Sequence, residues 1–189
     1  MPLFGRKKKE PPRVSPERLY RSIPIVSPVV KHEEDADGIV TILIPIRTGD
    51  PKNPERTARI RLDEIGSKVW KKIDGKTPLN EIVQWMKQEF MLTEREAEVS
   101  LSMFMKSLVD KKLVALALPP PKPGTPEVQE EIERIRFEIE ELEKAFKKKK
   151  VDEKTFRELK EKYEQAIREL KEKEAAETKP PDKTQVKPS

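Results

Sequence analysis

The chain has 189 residues, 40% of them charged, with one histidine, no cysteine and a net charge of +5. That length suits one domain of about 90–100 residues with extensions, and the composition excludes disulfides, thiolate metal sites and any metal centre needing two histidines. The surplus charge is local: within the first 21 residues Arg6, Lys7, Lys8, Lys9, Arg13, Arg18 and Arg21 meet only Glu10 and Glu17, which leaves the remainder neutral. The excess of Lys and Glu fits a thermophile's ionic surface or simply one long solvated helix, and the sequence leaves both open.

Residues 1–26 read as a disordered basic arm, Pro-rich with little to bury, broken by one helical turn from Ser15-Pro16-Glu17 to Tyr20. Leu3 and Phe4 beside the basic run fit contact with an anionic surface, or a plain solubilising tail. No apolar stretch follows the basic residues and none reaches the 18 or so residues a spanning helix needs, so a cytoplasmic protein is expected. Val29–Lys31 and Ile39–Ile46 alternate as strands, and Asp37-Gly38 between them is a hairpin signal in which both central residues take positive φ. Pro45 lacks a ladder donor and marks an edge or a strand end. After the Pro- and Gly-bearing loop from Arg47 to Arg56, Thr57–Leu62 forms a third strand, its Ile60 and Leu62 alternating with Arg59 and Arg61.

Three helices follow. Asp63 caps the first, which carries Ile65, Val69 and Ile73 inward, leaves Trp70 at the rim, and stops at Asp74-Gly75. Thr77-Pro78 opens the second as cap and first helical residue, with Leu79, Ile82, Val83, Met86 and Phe90 on its inner face and Trp85 at the rim. Thr93-x-x-Glu96 is a capping box for the third, whose Ala97, Leu101, Phe104, Met105 and Leu108 recur at helical spacing. Leu113–Leu118 makes a short last strand. Residues 119–124 are a Pro-rich spacer. Residues 125–176 hold two seams of apolar residues separated by Lys147–Lys150, an antiparallel helical hairpin of coiled-coil type. Residues 177–189 read as a disordered tail.

No catalytic constellation emerges: there is no Gly-rich phosphate loop, no thiol and no second histidine, so neither cofactor nor metal is expected and the protein reads as noncatalytic. Three strands and three helices also describe a winged helix. Against duplex binding stand Glu94, Glu96 and Glu98 at the start of the third helix, where base-reading residues would sit. Residues 27–118 also balance fifteen basic against fifteen acidic residues, without the positive footprint of a nucleic-acid binder.

Leu62-Asp63, Gly66, Val69-Trp70, Ile73-Asp74-Gly75-Lys76-Thr77, Glu81-Ile82, Phe90 and the run Leu108–Val114 together resemble the PqqD-like family: coenzyme PQQ synthesis protein D and the related RiPP recognition elements of ribosomal-peptide maturation. The resemblance covers about residues 27–118. It implies an α+β fold, a small winged-helix-like domain of a three-stranded antiparallel sheet and three helices, here followed by the helical hairpin. It also implies a peptide added as a strand to the edge formed by Thr57, Ala58, Arg59, Ile60, Arg61 and Leu62, against a helical wall of Leu101, Phe104, Met105 and Leu108. Arg59 and Arg61 then pair with acidic peptide side chains, or merely guard the edge; of Phe104 and Met105, at least one belongs to the core. The implied partners are a precursor peptide and a radical-SAM enzyme that modifies it, as in PQQ biosynthesis. The basic arm and the hairpin are additions to the family's small form; they point to a scaffold that serves another partner, with self-association through the hairpin. Two other readings stay open: a dimeric winged-helix DNA-binding regulator, and a structural coiled-coil assembly factor.

Overall fold

A computed structural model describes residues 12–47 and 55–177. In chain order its elements are α1 (Pro16–Tyr20), β1 (Ile23–Val26), β2 (Lys31–Glu34), β3 (Val40–Arg47), β4 (Glu55–Arg61), α2 (Glu64–Trp70), α3 (Leu79–Glu89), α4 (Glu94–Asp110), β5 (Val114–Ala117), α5 (Pro126–Lys147) and α6 (Glu153–Glu177). The class is α+β. An antiparallel sheet of order β2-β3-β4 is followed by three helices, β1 and β5 make a separate antiparallel pair, and two helices end the chain. Residues 17–119 form one compact unit, and the described parts of 1–16 and 120–189 form another.

In the first unit the sheet is one-sided. Val40 and Ile42 of β3 are fully buried and join Val69, Trp70, Ile82, Val83, Met86, Ala97, Leu101, Met105 and Leu108 in a single core, with Ile44, Ile60 and Leu62 packed at its border. Their neighbours Arg59 and Arg61 lie on the opposite face, exposed, which is the alternation a half-buried strand requires. The top of β3 is fastened to α2 by a polar contact inside this core, the Val40 N–H donating to the Ser67 hydroxyl at 2.9 Å.

Several local expectations change. The β2–β3 connection is not a two-residue turn. The Asp35 carboxylate accepts from the N–H groups of Asp37 and Ile39 at 3.1 and 3.0 Å, and only Gly38, at φ 78°, takes the left-handed conformation. Pro45 lies in the central strand rather than on an edge. It is tolerated because β2 begins at Lys31, opposite Leu43, so the side on which Pro45 lacks a donor has no strand beside it. Helix α2 ends at Trp70 instead of Asp74; Trp70 is in the core rather than at its rim, and Ile65 is exposed. Thr77 does not cap α3: its hydroxyl donates to the Asp74 carboxylate at 3.0 Å, and the N-cap of α3 is Pro78. The capping box at Thr93 and Glu96 forms as the spacing predicts, with the Thr93 N–H donating to Glu96 at 2.9 Å.

The largest departure is at the front of the chain. α1 is the helical turn expected up to Tyr20, but a disordered arm through residue 26 does not describe residues 23–26, which supply β1. β1 pairs antiparallel with β5, Ile23 opposite Ala117 and Val26 opposite Val114. Pro24 fits because the Ser27 N–H donates to the Leu113 carbonyl, and bonded positions alternate in such a pair; Pro24 is therefore at a position whose N–H would point away from β5. Arg18 is buried rather than part of a solvated tail, and its Nε and Nη2 donate to the Pro119 carbonyl at 3.1 and 2.9 Å. The remaining arm, residues 1–11, and the tail from 178 onward lie outside the described residues, as does most of the β3–β4 loop.

In the second unit α5 and α6 run antiparallel. Gln129 donates to Glu174 at 3.1 Å near one end, Lys160 reaches Glu143 at 2.9 Å, and the rings of Phe146 and Phe156 stack at 4.3 Å near the turn. Asp152 caps α6, accepting from the N–H of Thr155 at 2.9 Å.

Candidate functional site

The three-stranded sheet ends on β4, and among the described residues no strand pairs with its outer side. Which main-chain groups face that side follows from the register. The β3–β4 pairing runs one-to-one from Arg47 opposite Glu55 to Thr41 opposite Arg61. The Leu62 N–H donates to the Val40 carbonyl at 2.9 Å. Hydrogen-bonded positions alternate in an antiparallel pair, so Ala58, Ile60 and Leu62 turn their N–H and C=O toward β3. The N–H and C=O of Thr57, Arg59 and Arg61 then point out of the sheet. They form a row of donors and acceptors that a further strand can complete.

Beside the C-terminal end of this row is a pocket. It is lined by Asp63, Ile65, Gly66 and Val69 from the start of α2, by Met86 of α3, and by Ser100, Leu101 and Phe104 of α4. Its volume is about 130 Å³, close to the roughly 150 Å³ apolar cavity that holds a benzene-sized group. A Cβ at Gly66 would meet the Phe104 ring and Leu62 at an ordinary contact distance of 3.6 Å but would crowd the Asp63 carboxylate at 2.9 Å. That carboxylate is the cap of α2, accepting the Gly66 N–H at 2.6 Å. Ile65, which lines the pocket, is 53% exposed; elsewhere, on α4, Val99 and Met103 are exposed as well, at 50% and 70%.

The expected site residues divide. Thr57, Arg59 and Arg61 are exposed on the edge, and Ala58, Ile60 and Leu62 are half-buried beneath it. Leu101 forms the pocket floor and Phe104 its half-buried wall. Met105 and Leu108 are core residues, 3% and 4% exposed; they face α3 and the sheet because the buried stripe of α4 passes through Ala97, Leu101, Met105 and Leu108. Ile65, Gly66 and Ser100 also line the pocket and were not singled out as site residues by sequence reasoning.

Charge is distributed unevenly along the edge. Arg61 donates to Asp35 at 2.7 Å. The Asp35 carboxylate is held below its ordinary range by the Ile39 N–H first and, against some desolvation, by the Asp37 N–H and Arg61. Arg59 has no ion pair among the described residues. No group of three or more His, Cys, Asp or Glu converges on one point among the described residues.

Residues 52–114 match the family model of coenzyme PQQ synthesis protein D (PqqD). Over these residues the chain is similar to PqqD. The match takes in β4, α2, α3, α4 and the start of β5, that is, the edge and the pocket. It is shorter than the 27–118 span of the sequence resemblance and leaves out β1, β2 and β3. Among solved structures, TbiB1 in complex with the TbiA(beta) leader peptide is similar to the chain at 24% identity, covering 48% of this chain and 93% of that one, with a TM-score of 0.39. Comparison with curated proteins gives no match. No helix among the described residues is long and apolar enough to cross a membrane.

Proposed function

We propose that the PqqD-like domain is a noncatalytic peptide-binding adaptor that takes an extended peptide as a fourth strand on β4 and presents it to a modifying enzyme. One observation carries this reading: the outward main-chain groups of Thr57, Arg59 and Arg61 run directly up to the pocket of Ile65, Gly66, Leu101 and Phe104. Main-chain bonds supply affinity and the pocket supplies specificity. The family match over the same residues supports it. On this reading the ligand is a ribosomal precursor peptide, the enzyme is a radical-SAM maturase, the setting is the cytoplasm, and the α5–α6 hairpin joins two copies of the chain.

A duplex-DNA reading lacks comparable support. Glu96 at the start of α4 is locked into the capping box by the Thr93 N–H and hydroxyl, so it presents fixed negative charge where phosphate would approach.

The test is selection of binders from a displayed random peptide library, followed by amide hydrogen exchange on the complex. Bound peptide is expected to slow exchange at Thr57, Arg59 and Arg61, which are unpaired in the free chain. Tight binders that leave those three amides unprotected would overturn the assignment of β4.

A further inference from the structure

The register of the sheet sets the chemistry of the guest strand. This step rests on strand addition at β4 and adds to it a statement about sequence. A guest residue opposite Arg59 pairs with it through both main-chain bonds, because Arg59 is an outward-bonding position. Its side chain therefore stands on the same face as the Arg59 side chain, the exposed face, while its two neighbours point to the other face, where the pocket opens.

The exposed face can be followed row by row across the strands. Arg59 is opposite Leu43, and Leu43 is opposite Lys31. That row carries two positive charges and no negative one. The next row places Arg61 opposite Thr41 and Thr41 opposite Glu33, and Arg61 is further neutralised by Asp35 at 2.7 Å. The row of Thr57 holds Pro45 and no charge. Among the described rows of this face, the Arg59 row alone carries positive charge and no acidic residue, and it ends at the open edge.

We infer that the peptide bound on β4 carries an aspartate or glutamate opposite Arg59, flanked on both sides by apolar residues that face Ile60 and the Phe104 pocket. Arg59 is thus a specificity-determining residue. Arg61, though also at the edge, is not one, because its charge is already met within the sheet. A directly opposed pair of unlike charges in a sheet is expected to shift binding by about 1.4- to fivefold. Replacing attraction by repulsion doubles the free-energy difference, to on the order of tenfold.

The probe is a displayed library of ten-residue peptides with Leu, Ile, Val or Phe at alternate positions and all residues allowed between them, panned against the full chain and against Arg59→Glu. The full chain is expected to enrich Asp or Glu at one intervening position. Arg59→Glu is expected to replace them with Lys or Arg at that same position, and Arg59→Gln to show no preference for charge. Because Arg59 is exposed, all three proteins should fold, as circular dichroism would check. Binders whose intervening positions are unselected, or unchanged by Arg59→Glu, would overturn the inference while leaving strand addition in place. A library that yields no binder to any of the three proteins would overturn both.

Discussion

The assignment of outward and inward main-chain groups on β4 makes adjacent residues respond in opposite ways to the same substitution. Thr57→Pro removes an N–H that faces out of the sheet and leaves the bonds of Ala58 and Ile60 to β3 intact. Edge positions of this kind accept proline, and the stiffer unfolded chain offsets part of the strain of moving φ toward −65°. The stability of the domain should change by less than about 1 kcal/mol. Binding should change more. One main-chain hydrogen bond contributes about 0.5–1.5 kcal/mol, so affinity falls roughly two- to thirteenfold from the lost donor, and further where the proline ring stands in the path of the guest carbonyl.

Ala58→Pro is the converse. Its N–H faces β3, opposite Ile44. Losing it leaves a strand carbonyl without its donor, which costs about 1–3 kcal/mol, and pushes the ring between two paired strands. Urea denaturation of the two variants, with fluorescence anisotropy of a labelled peptide binder, separates the effects. The expected pattern is a stable Thr57→Pro protein that binds poorly and an unstable Ala58→Pro protein. The opposite stability order would refute the register argument. A stable Thr57→Pro protein with undiminished affinity would show that the guest does not lie along β4.

Three further outcomes are expected. Met91 and Lys112 sit at φ 54° and 58° just past the ends of α3 and α4, where the left-handed conformation costs a side chain about 1–2 kcal/mol; after the entropy cost of glycine, Met91→Gly and Lys112→Gly should each stabilise by about 0.5–1 kcal/mol in thermal unfolding. Gly66→Ala sets a helix-propensity gain of about 1 kcal/mol against displacement of the Asp63 cap, worth about the same, so unfolding should barely move while peptide affinity drops as the methyl narrows the pocket. The Asp74 carboxylate is held below its ordinary value of 3.8 by the N–H of Thr77 and then of Lys76, and Glu96 below 4.5 by the Thr93 hydroxyl and N–H. A lowered folded value contributes stability that is complete above the unfolded value and is lost as pH falls through the folded one; urea midpoints should therefore be flat near neutrality and decline below about pH 4.5, with a shallower decline in Asp74→Asn.

Local chemistry made much of this architecture legible before any coordinates. The Thr93–Glu96 capping box, the inner face of α3 and the alternation of Arg59, Ile60, Arg61 and Leu62 each depend on residues a few positions apart. What stayed hidden depends on distant partners. β1 forms only because β5, about ninety residues later, lies beside it, and a four-residue strand containing Pro24 gives no signal alone. Of the three residues expected inward on the helix that Asp63 caps, Val69 and Ile73 are core and only Ile65 is exposed. The buried stripe contains Gly66, Ser67, Val69 and Trp70, and it includes a serine because that hydroxyl accepts the Val40 N–H, a partner no hydrophobic pattern reveals. In the site, the edge was legible from its period of two. Of the helical wall, Leu101 and Phe104 line the pocket while Met105 and Leu108 are core, because apolar spacing alone does not separate a lining residue from the one packed beneath it.

The edges of the sheets explain why β4 is the one available for a guest. Proteins guard exposed edges by keeping them short, by placing charges that point inward, by inserting proline, or by bulging the strand. β2, the other border of the three-stranded sheet, uses two of these. It is four residues long, and on its inner face Glu34 receives the Lys71 ammonium at 2.5 Å, a charged group where an added strand would need an apolar one. β1 and β5 are also four residues each, and β1 carries Pro24 with its missing donor turned outward. β4 relies on charge alone: it spans seven residues without proline, its pairing with β3 shows no bulge, and its guards are the exposed Arg59 and Arg61. Only the side chains of Thr57, Arg59 and Arg61 stand over it, all on the face away from the pocket. The borders of β1, β2 and β5 are each four residues long, whereas that of β4 is seven and unbroken, with Ile65 and Phe104 lining the pocket beside it; a guest strand would therefore find its longest regular row of main-chain groups on β4.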